Sequence, residues 1–102
     1  MRQGTTPTHT FTLPVPAADV VDSRITYFGD ADWVILEKKM EDCDVVGNVL
    51  HLTLTQDETF SFPADKRAFV QVRALDKNGK AFTSGVDSFY VARAVNKEVL
   101  DG

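Results

Sequence analysis

The chain has 102 residues, of which 43% are hydrophobic and ten are aromatic. This length is enough for the core of one domain and too short for two. The net charge of −4, from 15 acidic and 11 basic side chains, comes without any cluster of Lys and Arg, which argues against nucleic acid or an anionic membrane as a partner. Cys43 is the only cysteine, so an intrachain disulfide is excluded.

The amino-terminal part combines a polar segment with a first predicted strand. Residues 1–7 are polar and contain Pro7, so we expect them to form a flexible arm. Apolar and polar residues alternate over residues 8–13, which predicts a strand with Phe11 and Leu13 on the core face. The opposite face is all threonine: Thr8, Thr10 and Thr12. Without Lys, Asp or Glu, this strand is suited as an edge that pairs with a neighbouring subunit.

Two further strands are predicted over residues 23–28 and 33–39, with a weaker continuation at 41–46. The turn between the first two is rich in Gly and Asp. The side chains assigned to the core here are Ile25, Tyr27, Val34 and Leu36.

The alternation is strongest over residues 49–55, where Leu50, Leu52 and Leu54 should face the core. We place both histidines, His9 and His51, on the solvent faces of their strands, beside threonines. Residues 56–59 are interpreted as a connection. Phe60 and Phe62 are then expected to share one face of a short strand.

The carboxyl-terminal part contains a strand over residues 67–75 and a hairpin at Asn78-Gly79, a dipeptide typical of tight β-turns. Strands at 81–83 and 88–94 follow, and residues 95–102 form a tail with room for one helical turn. The side chains expected inside are Val70, Val72, Ala74, Phe89 and Val91.

Seven or so short strands in one domain over residues 1–102 predict an all-β, immunoglobulin-like antiparallel β-sandwich, with a small barrel as the alternative. The Cys-Trp-Cys arrangement of antibody domains is absent. The predicted core consists of Phe11, Leu13, Ile25, Leu50, Leu52, Leu54, Val70, Val72, Phe89 and Val91.

The sequence offers little for chemistry. Neither histidine has a Ser or Cys partner at a recognisable motif spacing, so no enzyme activity and no cofactor are expected. Acidic neighbours should raise the pKa of Cys43, which favours a small buried hydrophobe over a nucleophile. Four carboxylates could bind calcium weakly, although aspartate is common in turns: Asp30, Asp32, Asp42 and Asp44.

Four aromatic residues could lie outside the core: Trp33, Phe69, Phe82 and Tyr90. Phe69 shares parity with Gln71 and Arg73, which predicts an exposed aromatic row suited to protein docking. The alternative is that these rings cover sheet ends or a second small cluster. The candidate partner contacts are therefore Thr8, Thr10, Thr12, Phe69, Gln71, Arg73 and Tyr90.

Three segments resemble a known group of proteins. Residues 1–14 (MRQGTTPTHTFTLP) are similar to the start of small proteins encoded in phages and prophages of gut Firmicutes. Residues 52–60 (LTLTQDETF) resemble their LTQxET segment, and residues 70–74 with Gly79-Lys80 and Ser84 resemble the strand pair that follows. The same layout resembles the amino-terminal immunoglobulin-like domain of the phage baseplate upper protein, which attaches a receptor-binding assembly to the tail.

The resemblance implies a non-enzymatic virion structural protein of a tail, neck or baseplate. Its partners would be other phage structural proteins, with a homo-oligomer left open. The sequence has no apolar run typical of a signal peptide, so the expected location is the virion or the bacterial cytoplasm. The alternative is an adhesion or carbohydrate-binding immunoglobulin-like module.

Overall fold

Two antiparallel β-sheets make up the structure, a computed structural model that describes residues 1–102. The strands are β1 (Thr8–Thr12), β2 (Val20–Phe28), β3 (Val34–Lys38), β4 (Asp44–Val46), β5 (Val49–Thr53), β6 (Lys66–Asp76), β7 (Ala81–Thr83) and β8 (Asp87–Val91). One short α-helix, α1 (Gln56–Phe60), joins β5 to β6. Single 3-10 turns lie at Ala17–Asp19, Asp30–Asp32 and Met40–Asp42.

The strand order identifies the fold. The first sheet has the order β1-β5-β4. The second has the order β3-β2-β6, and β7 and β8 pair with the two halves of β6 on its remaining side. These orders correspond to the B-E-D and C′-C-F-G strands of immunoglobulin domains. The protein is therefore an immunoglobulin-like β-sandwich, as the sequence predicts.

The last two strands differ in register by one residue. Phe82 of β7 pairs with Ala74, and Phe89 of β8 pairs with Ala68. Both partners are buried on the inner face of β6, so both phenylalanines face inward although one has an even number and the other an odd one. The extra residue lies in the segment 84–86 between the strands.

The core consists of 14 buried hydrophobic residues from both sheets. Eight of the ten predicted members are among them, whereas Phe11 and Phe89 are only partly buried at its margin. Phe62, two residues after α1, is one of the 14 and is fully buried. Phe62 packs edge-on against Tyr27, with 5.5 Å between the ring centroids.

The sequence assigns the wrong side-chain direction to His9 and Val34. His9 has the same parity as Phe11, so it faces the interior and is half-buried. Val34 is 51% exposed, because β3 contains a bulge. Phe28 pairs with Val34 while Tyr27 pairs with Leu36, and this shift turns Val34 away from the core.

Residues 56–60 form a helix where the sequence analysis expected a connection and a strand. The helix begins with a capping box: the Thr55 hydroxyl accepts a hydrogen bond from the Glu58 N–H at 3.2 Å, and Glu58 accepts one from the Thr55 N–H at 2.9 Å. Phe60 and Phe62 consequently do not share a strand face. Phe62 is buried, and Phe60 packs against Gly4 instead.

The first residues are hydrogen-bonded to residues 90–92, at the end of the last strand, in contrast to the flexible arm expected over residues 1–7. The Met1 amino group donates to the Tyr90 carbonyl at 2.9 Å, and the Ala92 N–H donates to the Met1 carbonyl at 2.8 Å. The Gln3 N–H donates to the Ala92 carbonyl at 2.9 Å. Residues 1–3 therefore extend the second sheet beyond β8 as a short parallel ladder.

Side chains strengthen this attachment. The buried Gln3 amide donates to the Phe62 carbonyl at 2.8 Å. The Gly4 N–H donates to the fully buried Thr59 hydroxyl at 2.9 Å. The segment from Gln3 onward thus packs over α1 before it enters β1.

Residues 95–102 form no helical turn. This tail runs back past α1, where the Gln56 side chain both donates to the Leu100 carbonyl and accepts from its N–H, each at 2.8 Å. No helix of the structure has the length and apolar character needed to cross a membrane.

Candidate docking edge and cleft

The outer edge of β1 has a row of backbone groups that no strand of the protein pairs with. The Leu54 N–H donates to the Pro7 carbonyl at 2.9 Å, and the Leu13 N–H donates to the Asn48 carbonyl at 2.7 Å. In an antiparallel pair, residues alternate between bonding to the partner and pointing away. Because the odd-numbered residues bond toward β5, the N–H and C=O groups of the even-numbered residues point outward: Thr8, Thr10 and Thr12.

This edge is uncharged, whereas the other sheet edges are charged, covered or short. β3 contains Glu37 and Lys38, and β4 contains Asp44. Residues 1–3 cover only the end of β8 at Tyr90 and Ala92, and the other end of β8 begins with the charged Asp87. β7 has only three residues. Charge and coverage are the usual means by which proteins prevent unwanted strand pairing, and β1 lacks both.

The position of residues 1–3 explains why β1 is uncovered. In immunoglobulin domains of the constant type, strand A lies beside strand B in the A-B-E-D sheet. In this protein β1 takes the place of strand B, and the residues before it pair with β8 in the other sheet. The place of strand A beside β1 is therefore free in the described chain.

An apolar cleft of about 670 Å³ opens between β1 and β7. Its apolar lining consists of Phe11, Leu13, Val72, Ala74, Ala81 and Phe82. Asp87 is the only charged residue of the lining. The free edge of β1 and the open side of the sandwich thus form one continuous surface, with hydrogen-bonding groups beside apolar side chains.

The threonine face of the first sheet has local hydrogen bonds but little charge. The hydroxyls of Thr8 and Thr53 lie 2.7 Å apart, and the Thr10 hydroxyl lies 3.4 Å from His51 Nδ1. All three threonines of β1 are exposed, as the sequence predicts.

The other candidate contacts lie on the opposite side of the molecule, on the outer face of the second sheet. Phe69 is half-buried because it stacks on Phe28, with 5.5 Å between centroids and 24° between the ring planes. The Gln71 amide donates to the Ser84 carbonyl at 3.1 Å, and Arg73 is exposed. Tyr90 is 50% exposed on the adjacent strand.

The candidate residues therefore form two separate surfaces. Phe82, which the sequence groups with the exposed aromatics, instead lines the cleft on the inner face. Trp33 is 65% exposed at the turn between β2 and β3, and it does not line the cleft. The contribution of Phe82 was missed because the register shift at 84–86 leaves no trace in the alternation of β7 alone.

The residues considered for chemistry do not converge. No group of three or more His, Cys, Asp or Glu side chains is arranged to hold a metal ion. Burial raises the pKa of Cys43, and the carboxylates of Asp42 and Asp44 raise it further. The partly buried Cys43 packs against the core, in keeping with its predicted role as a small hydrophobe.

No family model and no curated relative matches the sequence. Among solved structures, the V domain of amphioxus IgVJ-C2 is similar to this chain, with 15% sequence identity and a TM-score of 0.38. The matched region covers 92% of this chain and 97% of that domain.

Proposed function

We propose that this protein is a non-enzymatic assembly module of a phage or prophage virion that docks to another subunit by strand addition at β1. An extended segment would pair with the outward groups of Thr8, Thr10 and Thr12. Main-chain hydrogen bonds then provide affinity, and side chains of the added segment that enter the adjoining cleft provide selectivity.

The observation that supports this proposal is the coincidence of an uncharged, unpaired strand edge with an apolar cleft. Either feature alone is unfavourable for an isolated domain, because open edges and exposed apolar surfaces promote association. Phe11 belongs to β1 and also lines the cleft. A strand added at this edge would therefore cover both features together.

The virion context is supported by the resemblance of residues 1–14 and 52–60 to phage and prophage proteins. Both segments adjoin the proposed site: the first contains β1, and the second includes the end of β5, to which β1 pairs. The chemistry expected of such a protein is binding alone.

The test compares proline substitutions on the two edges of the same sheet. Thr10→Pro removes an N–H that points away from β5, so the ladder inside the sheet stays intact. Val45→Pro, on the opposite edge of the sheet, is the matched control. Val45 pairs with Leu50, whose backbone groups point toward β1 and not toward β4. The Val45 N–H therefore points away from β5, into solvent, as the Thr10 N–H does. Each variant, with a carboxy-terminal tag, is produced in a lysogen, and the released particles are purified by density gradient.

We expect particles to contain the wild type and Val45→Pro but to exclude Thr10→Pro, with all three proteins folded by circular dichroism. Equal incorporation of Thr10→Pro would contradict docking at β1. A wild-type protein that never accompanies the particles would contradict the virion assignment.

A further inference from the structure

We infer that the partner at the β1 edge is the β1 strand of a second copy of this chain, related by a two-fold axis through Thr10. This inference rests on the proposed docking at β1 and names the occupant of that edge. The resulting dimer would have one continuous six-stranded sheet, with the order β4-β5-β1 repeated in reverse across the axis.

The geometry of the edge is self-complementary. The outward residues are Thr8, Thr10 and Thr12, evenly spaced about Thr10. A two-fold axis makes the two strands antiparallel, so Thr10 meets its own copy and Thr8 meets Thr12. In each of these three pairs, the N–H and C=O groups of both residues point toward the other copy. Each pair can therefore exchange two main-chain hydrogen bonds. No outward group of β1 is then left unpaired.

Charge also favours a second copy at this edge. The chain has a net charge of −4, which opposes self-association in general. Residues 8–12 contain no Lys, Arg, Asp or Glu, so two copies meet along β1 without direct like-charge pairs. Thr–Thr pairs across neighbouring strands are themselves favourable. The same arrangement at β4 would bring two copies of Asp44 close together.

The cleft supplies a third reason. In the proposed register, the inward side chains adjacent to the axis are His9 and Phe11, and each lies opposite the other residue of the second copy. Phe11 also lines the cleft. The second copy would thus take the place of strand A beside β1 and cover the apolar opening with its own inward side chains, as an isologous contact requires.

Cysteine crosslinking of the purified chain tests the register. In a Cys43→Ala background, Thr10→Cys places two thiols across the axis at a Cα–Cα distance of about 5.5 Å, which a disulfide can span. Thr8→Cys is the matched control, because its two copies would be about 14 Å apart. With oxidised glutathione as the oxidant, two thiols lose their protons and form one disulfide, while glutathione is reduced.

We expect Thr10→Cys to form a covalent dimer on non-reducing gels and Thr8→Cys alone to form little. A mixture of Thr8→Cys with Thr12→Cys should crosslink. Sedimentation of the wild type should show twice the monomer mass, and Thr10→Pro should weaken the dimer by about 10- to 100-fold, as expected for the loss of two hydrogen bonds.

Two outcomes overturn the inference. One is a wild type that stays monomeric up to its solubility limit. The other is equal crosslinking by Thr8→Cys and Thr10→Cys. Either result leaves the proposed docking intact if incorporation into particles still depends on Thr10, since the occupant would then be another subunit. Conversely, a crosslinked dimer that is absent from particles supports this inference while contradicting the proposed function.

Discussion

His9 Nδ1 and Tyr27 Oη lie 2.6 Å apart and join the two sheets with a hydrogen bond. His9 lies on β1 and Tyr27 on β2, so the bond connects the open edge strand to the centre of the other sheet. The His9 ring also contacts Phe89, with 5.4 Å between the ring centroids. These contacts fix the inward side of β1 and leave its backbone on the outer side free.

Protonation of His9 should destabilise the fold. Burial lowers the pKa of His9 from its ordinary value of 6.5, and the positive Met1 amino group lowers it further. The unfolded chain therefore binds this proton more readily than the folded one. Stability should be full above pH 6.5 and should decrease as the pH falls from there toward the folded-state pKa.

Urea denaturation at a series of pH values checks this expectation, together with an NMR titration of the His9 ring. In His9→Gln the decrease near pH 6.5 should disappear, whereas His51→Gln should retain it. A folded-state pKa of His9 at or above 6.5 would contradict the prediction.

Glu58 should give the stability of the fold a second pH dependence, at lower pH than that of His9. Burial alone would raise its pKa, but the ion pair with Lys38 and the hydrogen bond from the Thr55 N–H outweigh burial and hold the pKa below 4.5. Stability due to this carboxylate is present above pH 4.5 and is lost as the pH falls through the folded-state value. Glu58→Ala should also lose about 0.5–2 kcal/mol at neutral pH through the broken cap.

The measurement is the free energy of unfolding from pH 7 downward, a range that covers the ordinary pKa of the group. Glu98→Ala, in the exposed tail, serves as the control and should leave both the neutral value and its acid dependence unchanged. A Glu58→Ala variant as stable as that control would show that the capping box is dispensable.

Gly4 should resist substitution more strongly than Gly79, although both have positive φ, +77° and +79° respectively. Alanine at either position incurs the backbone cost, about 1–2 kcal/mol. At Gly4 a Cβ atom would also lie 2.9 Å from the Phe60 ring, whereas at Gly79 it would meet nothing within 4 Å. We expect Gly4→Ala to lose about 1–3 kcal/mol more, by thermal or urea denaturation. Equal losses would mean that the ring moves aside without cost.

Substitution of Leu52 tests the packing of the core and the register of β5. Its side chain is 1% exposed at the centre of β5, so Leu52→Ala should cost about 2–5 kcal/mol. Thr53→Ala, one residue along on the outer face, loses only the cross-strand pair with Thr8 and should cost less than about 1 kcal/mol. A loss below roughly 1 kcal/mol for Leu52→Ala would place β5 in a different register, because a one-residue slip reverses the faces.

Alternation along the sequence was sufficient to predict most of the sandwich. Leu50, Leu52 and Leu54 face the core, and the threonines of β1 face outward, because each of these strands is regular over its length. The helix α1 was missed although its signal was present, since Thr55 and Glu58 have the spacing of a capping box.

Other features depend on contacts between distant parts of the chain and could not be predicted locally. The bulge that exposes Val34 is defined by pairing with β2. The parallel bridge between Arg2 and Ala92 joins residues at the two ends of the sequence. The cleft needs both Phe11 and Phe82, which no spacing in the sequence brings together. The open edge of β1 was predicted from its lack of charge, but its partnerless backbone follows only from the sheet order.

The segment between β7 and β8 has a consequence for which changes the protein tolerates. A Cβ atom on Gly85 would contact nothing within 4 Å, and Val86 is 51% exposed, so the chemical identity of these residues is nearly free. Their number is not fixed by the core either. Without one residue of this segment, Phe89 would have the parity of Phe82, so β7 and β8 could form one regular strand with Phe89 and Val91 still facing inward. The segment therefore absorbs one extra residue of the polypeptide without changing what the core contains.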